Sequence, residues 1–196
     1  MDGSQAIARQ GCAAYIDRLT AVLSAVDVAA MEEGVELIER VWRRGGQIIT
    51  LGNGGSAMTA LHFITDWNKS VFMASGRSFR GRSLVDNMGL ISAYSNDVSY
   101  QDVFIEQLKN IAVPGDLVIA ISGSGNSENV IRAVSYANEI GCETLGLCGY
   151  SGGRLREIAK HPIWVAVNDM QLCEDVHAIF GHMVMQTLCG YGQLAQ

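Results

Sequence analysis

Proline is nearly absent, with two residues in 196, so few fixed breaks stop the chain from running in long regular elements. Both prolines, Pro114 and Pro162, stand just ahead of segments whose apolar pattern predicts strands. Charge is also scarce: 17% of residues are charged, and no run of one sign occurs. Fourteen basic residues against twenty acidic ones give a net charge of −6, so the basic footprint that grips a nucleic-acid backbone is missing. No stretch approaches the roughly 20 apolar residues that span a bilayer. Met1-Asp2-Gly3-Ser4 lacks the basic-then-apolar order of an export signal. The five cysteines (Cys12, Cys142, Cys148, Cys173 and Cys189) form no CxxC pair and are odd in number. They suit thiols in a reducing compartment and therefore a cytoplasmic location, with no disulfide frame. Repeats and low-complexity tracts are lacking too.

What is present is a 48% hydrophobic chain long enough for one full core, read as a single domain over 1–196. Residues 1–45 read as a helical arm. Tyr15, Leu19, Val22, Leu23 and Val26 recur at spacings of three and four, a second stripe runs through Val35, Leu37, Ile38, Val41 and Trp42, and Gly45-Gly46 ends it. Over 46–190 the pattern changes to short apolar runs alternating with helices. Strands are predicted at Gln47–Leu51, Leu117–Ile121, Thr144–Cys148 and Ile163–Val167, with a shorter one at Ser83–Val85. Helices are predicted near Ser56–Lys69, Met88–Tyr94, Tyr100–Asn110, Ser127–Ile140, Gly153–Ala159 and Leu172–Leu188. Such alternation implies an α/β fold, a parallel sheet with helices on both faces.

Two of the strands end in glycine-serine turns that lead into helices, Gly52-Asn53-Gly54-Gly55-Ser56-Ala57 and Ser122-Gly123-Ser124-Gly125-Asn126-Ser127. Ligands of parallel sheets collect at the carboxyl ends of strands. There, the free N–H groups and positive dipole end of a following helix favour an anion. An acidic chain can thus hold a single phosphate with amides and hydroxyls. Gly52, Gly54 and Ala57 also satisfy GxGxxA, yet the acidic residue expected about 20 positions further on has no clear counterpart. No Walker lysine follows either turn. A sugar phosphate fits better than a dinucleotide.

Gly52-Asn53-Gly54-Gly55-Ser56, His62-Phe63, Asn96-Asp97, Ser122 to Ser127 and the C-terminal helix with His177 and His182 occur in this order. Together they resemble the SIS (sugar isomerase) domain family, and within it the phosphoheptose isomerases, over about residues 48–186. The resemblance implies a three-layer αβα sandwich with a five-stranded parallel sheet and an N-terminal helical arm. It also implies a homotetramer with sites between subunits, and aldose–ketose isomerisation of a phosphorylated sugar, sedoheptulose 7-phosphate, through an enediol. It places Ser56, Ser122, Ser124 and Ser127 around the phosphate, with Gly55 and Gly123 in the same turns, and Asn53, Gly54, Asn96 and Asp97 near the sugar. One zinc ion per site is implied, with His62, Asp66, Glu174 and His182 as ligands. Asp66 is the implied general base and His182 the general acid. SIS domains also serve as sugar-phosphate-binding or assembly modules without catalysis, which is the alternative function.

The residue types suit this chemistry in part. His62 and Asp66, four apart on a predicted helix, face one point. Glu174 and His182 are eight apart, about 12 Å along a helix axis, whereas Glu174 and His177 fall at i,i+3, so His177 is a candidate for a place behind the ligands. Two departures from the family pattern stand out: Asp66 replaces a glutamate, and Glu174-Asp175 replaces a glutamine-glutamate pair. Local roles are also open to several of these residues: helix capping for Asp97, dipole compensation for Glu174, and burial in the core for the helical histidines. The basic loop with Arg77, Arg80 and Arg82 has two open roles, contact with substrate or with a neighbouring subunit.

Overall fold

The apolar runs become five strands, β1 (Ile48–Gly52), β2 (Gly81–Ser83), β3 (Leu117–Ser122), β4 (Glu143–Cys148) and β5 (His161–Trp164). A computed structural model describes residues 3–190, with side chains described from residue 11 onward. All strand pairs are parallel, in the order β2-β1-β3-β4-β5. Every residue of β1 and β3 is buried, as a sheet covered on both faces requires. The helices are α1 (Gly3–Ala25), α2 (Val28–Arg43), α3 (Gly54–Asp66), α4 (Phe72–Ser75), α5 (Met88–Asp97), α6 (Ile105–Ile111), α7 (Glu128–Glu139), α8 (Gly153–Ile158) and α9 (Met170–Leu188). One layer is α2, α3 and α9; the other is α7 and α8, with α6 beside α7.

Both edge strands depart from their predicted limits. β2 starts two residues early, because Ile48 N–H bonds the Arg80 carbonyl and the chain turns away after Ser83. Pro162 lies inside β5, opposite Gly146, instead of ahead of it. A strand at the sheet's edge accommodates a proline because only one side of it must donate to a neighbour. Val165 to Val167, expected as strand, lead out of the sheet toward α9.

The two N-terminal helices differ. α2 begins at Asp27, whose carboxylate accepts from Ala30 N–H at 3.1 Å. It buries Met31, Leu37, Ile38, Val41 and Trp42 in the same core as the sheet. α1 lies outside α9 and packs with Leu19, Val22 and Leu23 half-buried, as is Val26 just beyond its end. It is latched by Tyr15 OH donating to Asp175 (2.6 Å) and Arg18 pairing with Asp169 (2.7 Å). The bond to the Asp175 carboxylate, first among the causes, pushes the Tyr15 hydroxyl up to about 12.

The basic loop has a local task. Arg77 donates to the Arg43 carbonyl and Arg80 to the Gly45 carbonyl at 2.8 Å, while the Trp42 indole donates to Ser78 O at 3.1 Å. Two guanidinium groups thus neutralise the carboxyl end of α2, where cations are favoured. Arg82 is exposed on β2. All five cysteines are free thiols. Burial pushes Cys142 up to about 11 and Cys148 up to about 12, so both stay protonated.

Candidate functional site

The ends of β1 and β3 are neighbours in the sheet, so the two glycine-serine turns meet. Asn53, Gly54, Gly55 and Ser56 from the first and Ser122, Gly123, Ser124 and Ser127 from the second line one open cavity of about 290 Å³, joined by Met170 and Glu174 from α9. Neither residue at the start of the two helices caps it: the Asn53 and Ser127 side chains make no bond to first-turn N–H groups. The usual capping acceptors are turned elsewhere, which leaves donors at both helix starts facing the cavity. Gly125, at φ +67°, lets the second turn lie against the next loop; a Cβ there would sit 1.9 Å from the Gly152 carbonyl oxygen.

Further along α3, His62 Nε2 lies 3.2 Å from Asp66 Oδ2, and His182 Nε2 from α9 lies 4.0 Å from the same oxygen. The two imidazole rings meet edge-to-face with centroids 5.1 Å apart. One donor atom from each of the three residues falls within 4.8 Å of the others, the one such cluster among the described residues. The side chains are 49%, 28% and 49% exposed for His62, Asp66 and His182, so a substrate reaches them. Two imidazoles and a carboxylate so placed are a donor set that could hold a metal ion.

Of the residues that join α3 to α9 here, Phe63 was singled out in the sequence but Trp67 and Gly181 were not. Phe63 packs against Gly181, and the Trp67 indole N–H donates to the Gly181 carbonyl at 3.0 Å, one residue before His182. Trp67 opens a wide turn, Trp67–Val71, directly after Asp66, and stacks on Phe63 at 4.8 Å. The only early signal was the aromatic pair spaced four apart on one helix face.

Glu174 is placed differently from the metal set that the resemblance implied. It stands with the serine turns, packed so closely on Gly55 that a Cβ there would lie 2.3 Å from its Oε1. Two helical turns of α9 separate it from His182, which keeps its carboxylate out of the three-residue cluster. Asn96 and Asp97 are exposed at the end of α5 and bond to each other at 2.8 Å, away from the serine cavity. Asp97 is not a cap for the following turn, which begins at Ser99.

His177 does not pair with Glu174. It is 1% exposed, and neither ring nitrogen has a hydrogen-bond partner. Burial pushes its pKa down to about 4, with the Cys148 backbone opposing in small part. The unfolded chain takes up a proton near pH 6.5 that the folded chain refuses until about pH 4. Stability from this residue is therefore present above about pH 6.5 and lost as pH falls toward 4. Between about pH 7 and pH 5 we expect a loss of about 2 kcal/mol that His177→Leu abolishes, measured by denaturant titration of both proteins. Parallel stability curves for the two proteins would contradict this.

A larger cavity, about 910 Å³, lies elsewhere, between α1, α2 and α9. Its apolar wall includes Leu23, Val26, Val28, Met31, Val35 and Met183, and the carboxylates of Glu32, Glu36 and Glu39 line its α2 side. Three carboxylates with no cationic side chain among the described lining residues disfavour a phosphate there.

Among known proteins, the family model described as the SIS domain matches residues 14–149. The probable phosphoheptose isomerase of Thermoplasma volcanium is 33% identical over 177 residues, covering 90% of either chain. The phosphoheptose isomerase of Aliarcobacter butzleri is 34% identical over 158 residues, 81% of this chain and 83% of that one. The solved phosphoheptose isomerase of Neisseria gonorrhoeae superposes with a TM-score of 0.84 at 25% identity, over 92% of this chain and 97% of that chain.

Proposed function

This chain belongs to the SIS-domain family, among the phosphoheptose isomerases, and from that premise we propose that it interconverts sedoheptulose 7-phosphate and an aldoheptose 7-phosphate. The observation that carries the reading is the placement of α3. Its first turn lines the serine cavity and its later turns carry His62 and Asp66. His62 follows Ser56 by six residues, about 9 Å along the axis. That is the length scale separating the phosphate of an extended seven-carbon sugar from its carbonyl end.

The serine turns bind the phosphate, and Glu174 faces the sugar chain beside it. Asp66 takes the proton from the carbon next to the carbonyl, and His182 gives one to the carbonyl oxygen, producing the enediol; reversal on the neighbouring atoms completes the isomerisation. His62, Asp66 and His182 would hold a zinc ion, which when bound supplies a positive charge for the developing oxyanion. The protein works as a homotetramer in the cytoplasm, over 1–196 as one domain. The cavity between α1, α2 and α9 serves subunit contact, and exposed Asn96 and Asp97 reach a neighbour's site. The exposed Val28 and Met183 side chains in the cavity wall support the subunit contact.

Incubation with sedoheptulose 7-phosphate is expected to yield an aldose phosphate, with activity lost to a chelator and restored by zinc. No turnover of several ketose phosphates by metal-replete protein would overturn the enzymatic reading. Phosphate binding without turnover would leave a sugar-phosphate-binding module.

A further inference from the structure

Asn53 forgoes its capping bond for a contact that ties the two phosphate turns together. Its Nδ2 donates to Asn129 Oδ1 at 2.9 Å, and Asn129 Nδ2 donates back to Asn53 Oδ1 at 2.9 Å. The Tyr100 hydroxyl donates to the same Asn53 Oδ1 at 2.8 Å. Asn53 opens α3 after the first turn, and Asn129 lies in the first turn of α7 after the second, 76 residues later. Asn129 is 3% exposed, so the reciprocal amide pair is largely shielded from water. A shielded pair of this kind loses more when one partner is removed than an exposed pair would.

We propose that Asn129 and Tyr100 are positioning residues for phosphate capture, acting through Asn53 to hold the two serine turns at one separation. The inference rests on the site described under Proposed function and gives Asn53 a different task from direct sugar contact. Both its side-chain atoms are engaged with protein groups, while its backbone stays at the cavity. Neither Asn129 nor Tyr100 touches the phosphate in this scheme. Tyr100 lines a separate small cavity on the far side of the first turn, with Met58, Met88 and Phe104. Loosening the bridge lets the turns drift relative to each other. Phosphate binding contributes alike to ground and transition states, so the loss appears in KM and not in kcat.

The test compares wild type with Asn129→Leu and Tyr100→Phe, reading inorganic phosphate affinity by calorimetry and kinetics on sedoheptulose 7-phosphate. Asn129→Leu is expected to raise both Kd and KM about 10-fold and Tyr100→Phe about 3-fold, the scale of one lost shielded or exposed hydrogen bond, with kcat within about 2-fold. In an Asn53→Ala background, Tyr100→Phe is expected to add nothing, because its partner is gone. Tyr100 is 53% exposed, so its variant tests the inference even where Asn129→Leu fails to fold. Wild-type phosphate affinity in Tyr100→Phe, or an undiminished Tyr100→Phe effect without Asn53, overturns the clamp alone. Failure of the wild type to bind phosphate or turn over substrate overturns the proposed function and the clamp with it.

Discussion

Asp66→Asn is expected to lower kcat for sedoheptulose 7-phosphate about 10³-fold, within the range that one general base contributes. The amide keeps the shape of the carboxylate and removes its basicity. Asp66 Oδ2 is the atom shared by His62 and His182, at 3.2 Å and 4.0 Å, so no second carboxylate in the cluster replaces it. The residue is 28% exposed and closes α3, with no buried ion pair beneath it, so stability should change little. Inorganic phosphate affinity should be retained, since Asp66 does not line the serine cavity. Steady-state kinetics, phosphate calorimetry and metal analysis on one preparation separate these effects. The conservative change Asp66→Glu adds one methylene and is expected to keep activity within about 10-fold, because the cluster opens to solvent and the longer arm has room to turn. Full activity in Asp66→Asn would remove this carboxylate from the mechanism and return attention to Glu174.

How much of this could be read from the chain depends on where each signal resides. The central strands were legible because burial on both faces makes them continuous apolar runs, and both serine turns because glycines and hydroxyls follow those runs directly. The edges were less legible. β2 is three residues long and pairs on one side, so hydrogen bonding around Arg80 and Thr50 sets its limits more than composition does. His62 and Asp66 were legible as an i,i+4 pair, but His182 joined them only through family resemblance, since 115 residues of chain intervene between Asp66 and His182. Glu174 shows what resemblance leaves out: its direction depends on the missing side chain of Gly55, a contact between α9 and α3 that no local pattern encodes. The same holds for Asn129, an ordinary helical polar residue until the fold sets it opposite Asn53.

Gly181 is the residue on which that α3–α9 crossing turns, and Gly181→Ala is expected to cost about 2–3 kcal/mol of stability, an overpacked core contact, and about 10²-fold of isomerase activity. A Cβ at this position would lie 2.1 Å from Phe63 Cε1 and 2.3 Å from Cδ1. Phe63 cannot swing aside cheaply: it is 2% exposed, stacked on Trp67 at 4.8 Å and set edge-on to Phe180 at 6.5 Å. The helices must therefore part, stretching the 3.0 Å bond from the Trp67 indole to the Gly181 carbonyl. His182 follows Gly181 directly, so any parting carries its imidazole away from Asp66, and a displacement near 1 Å is enough for about a 10²-fold loss. The serine turns follow directly on β1 and β3 and lie two turns of α9 away from this contact, so phosphate affinity should fall less than activity. Phe63→Leu in the Gly181→Ala background relieves the overlap and should recover part of both stability and rate. Denaturant midpoints, phosphate calorimetry and kinetics on the single and double variants decide the matter. A Gly181→Ala protein as stable and as active as wild type would show that something other than this contact sets the distance between the two helices.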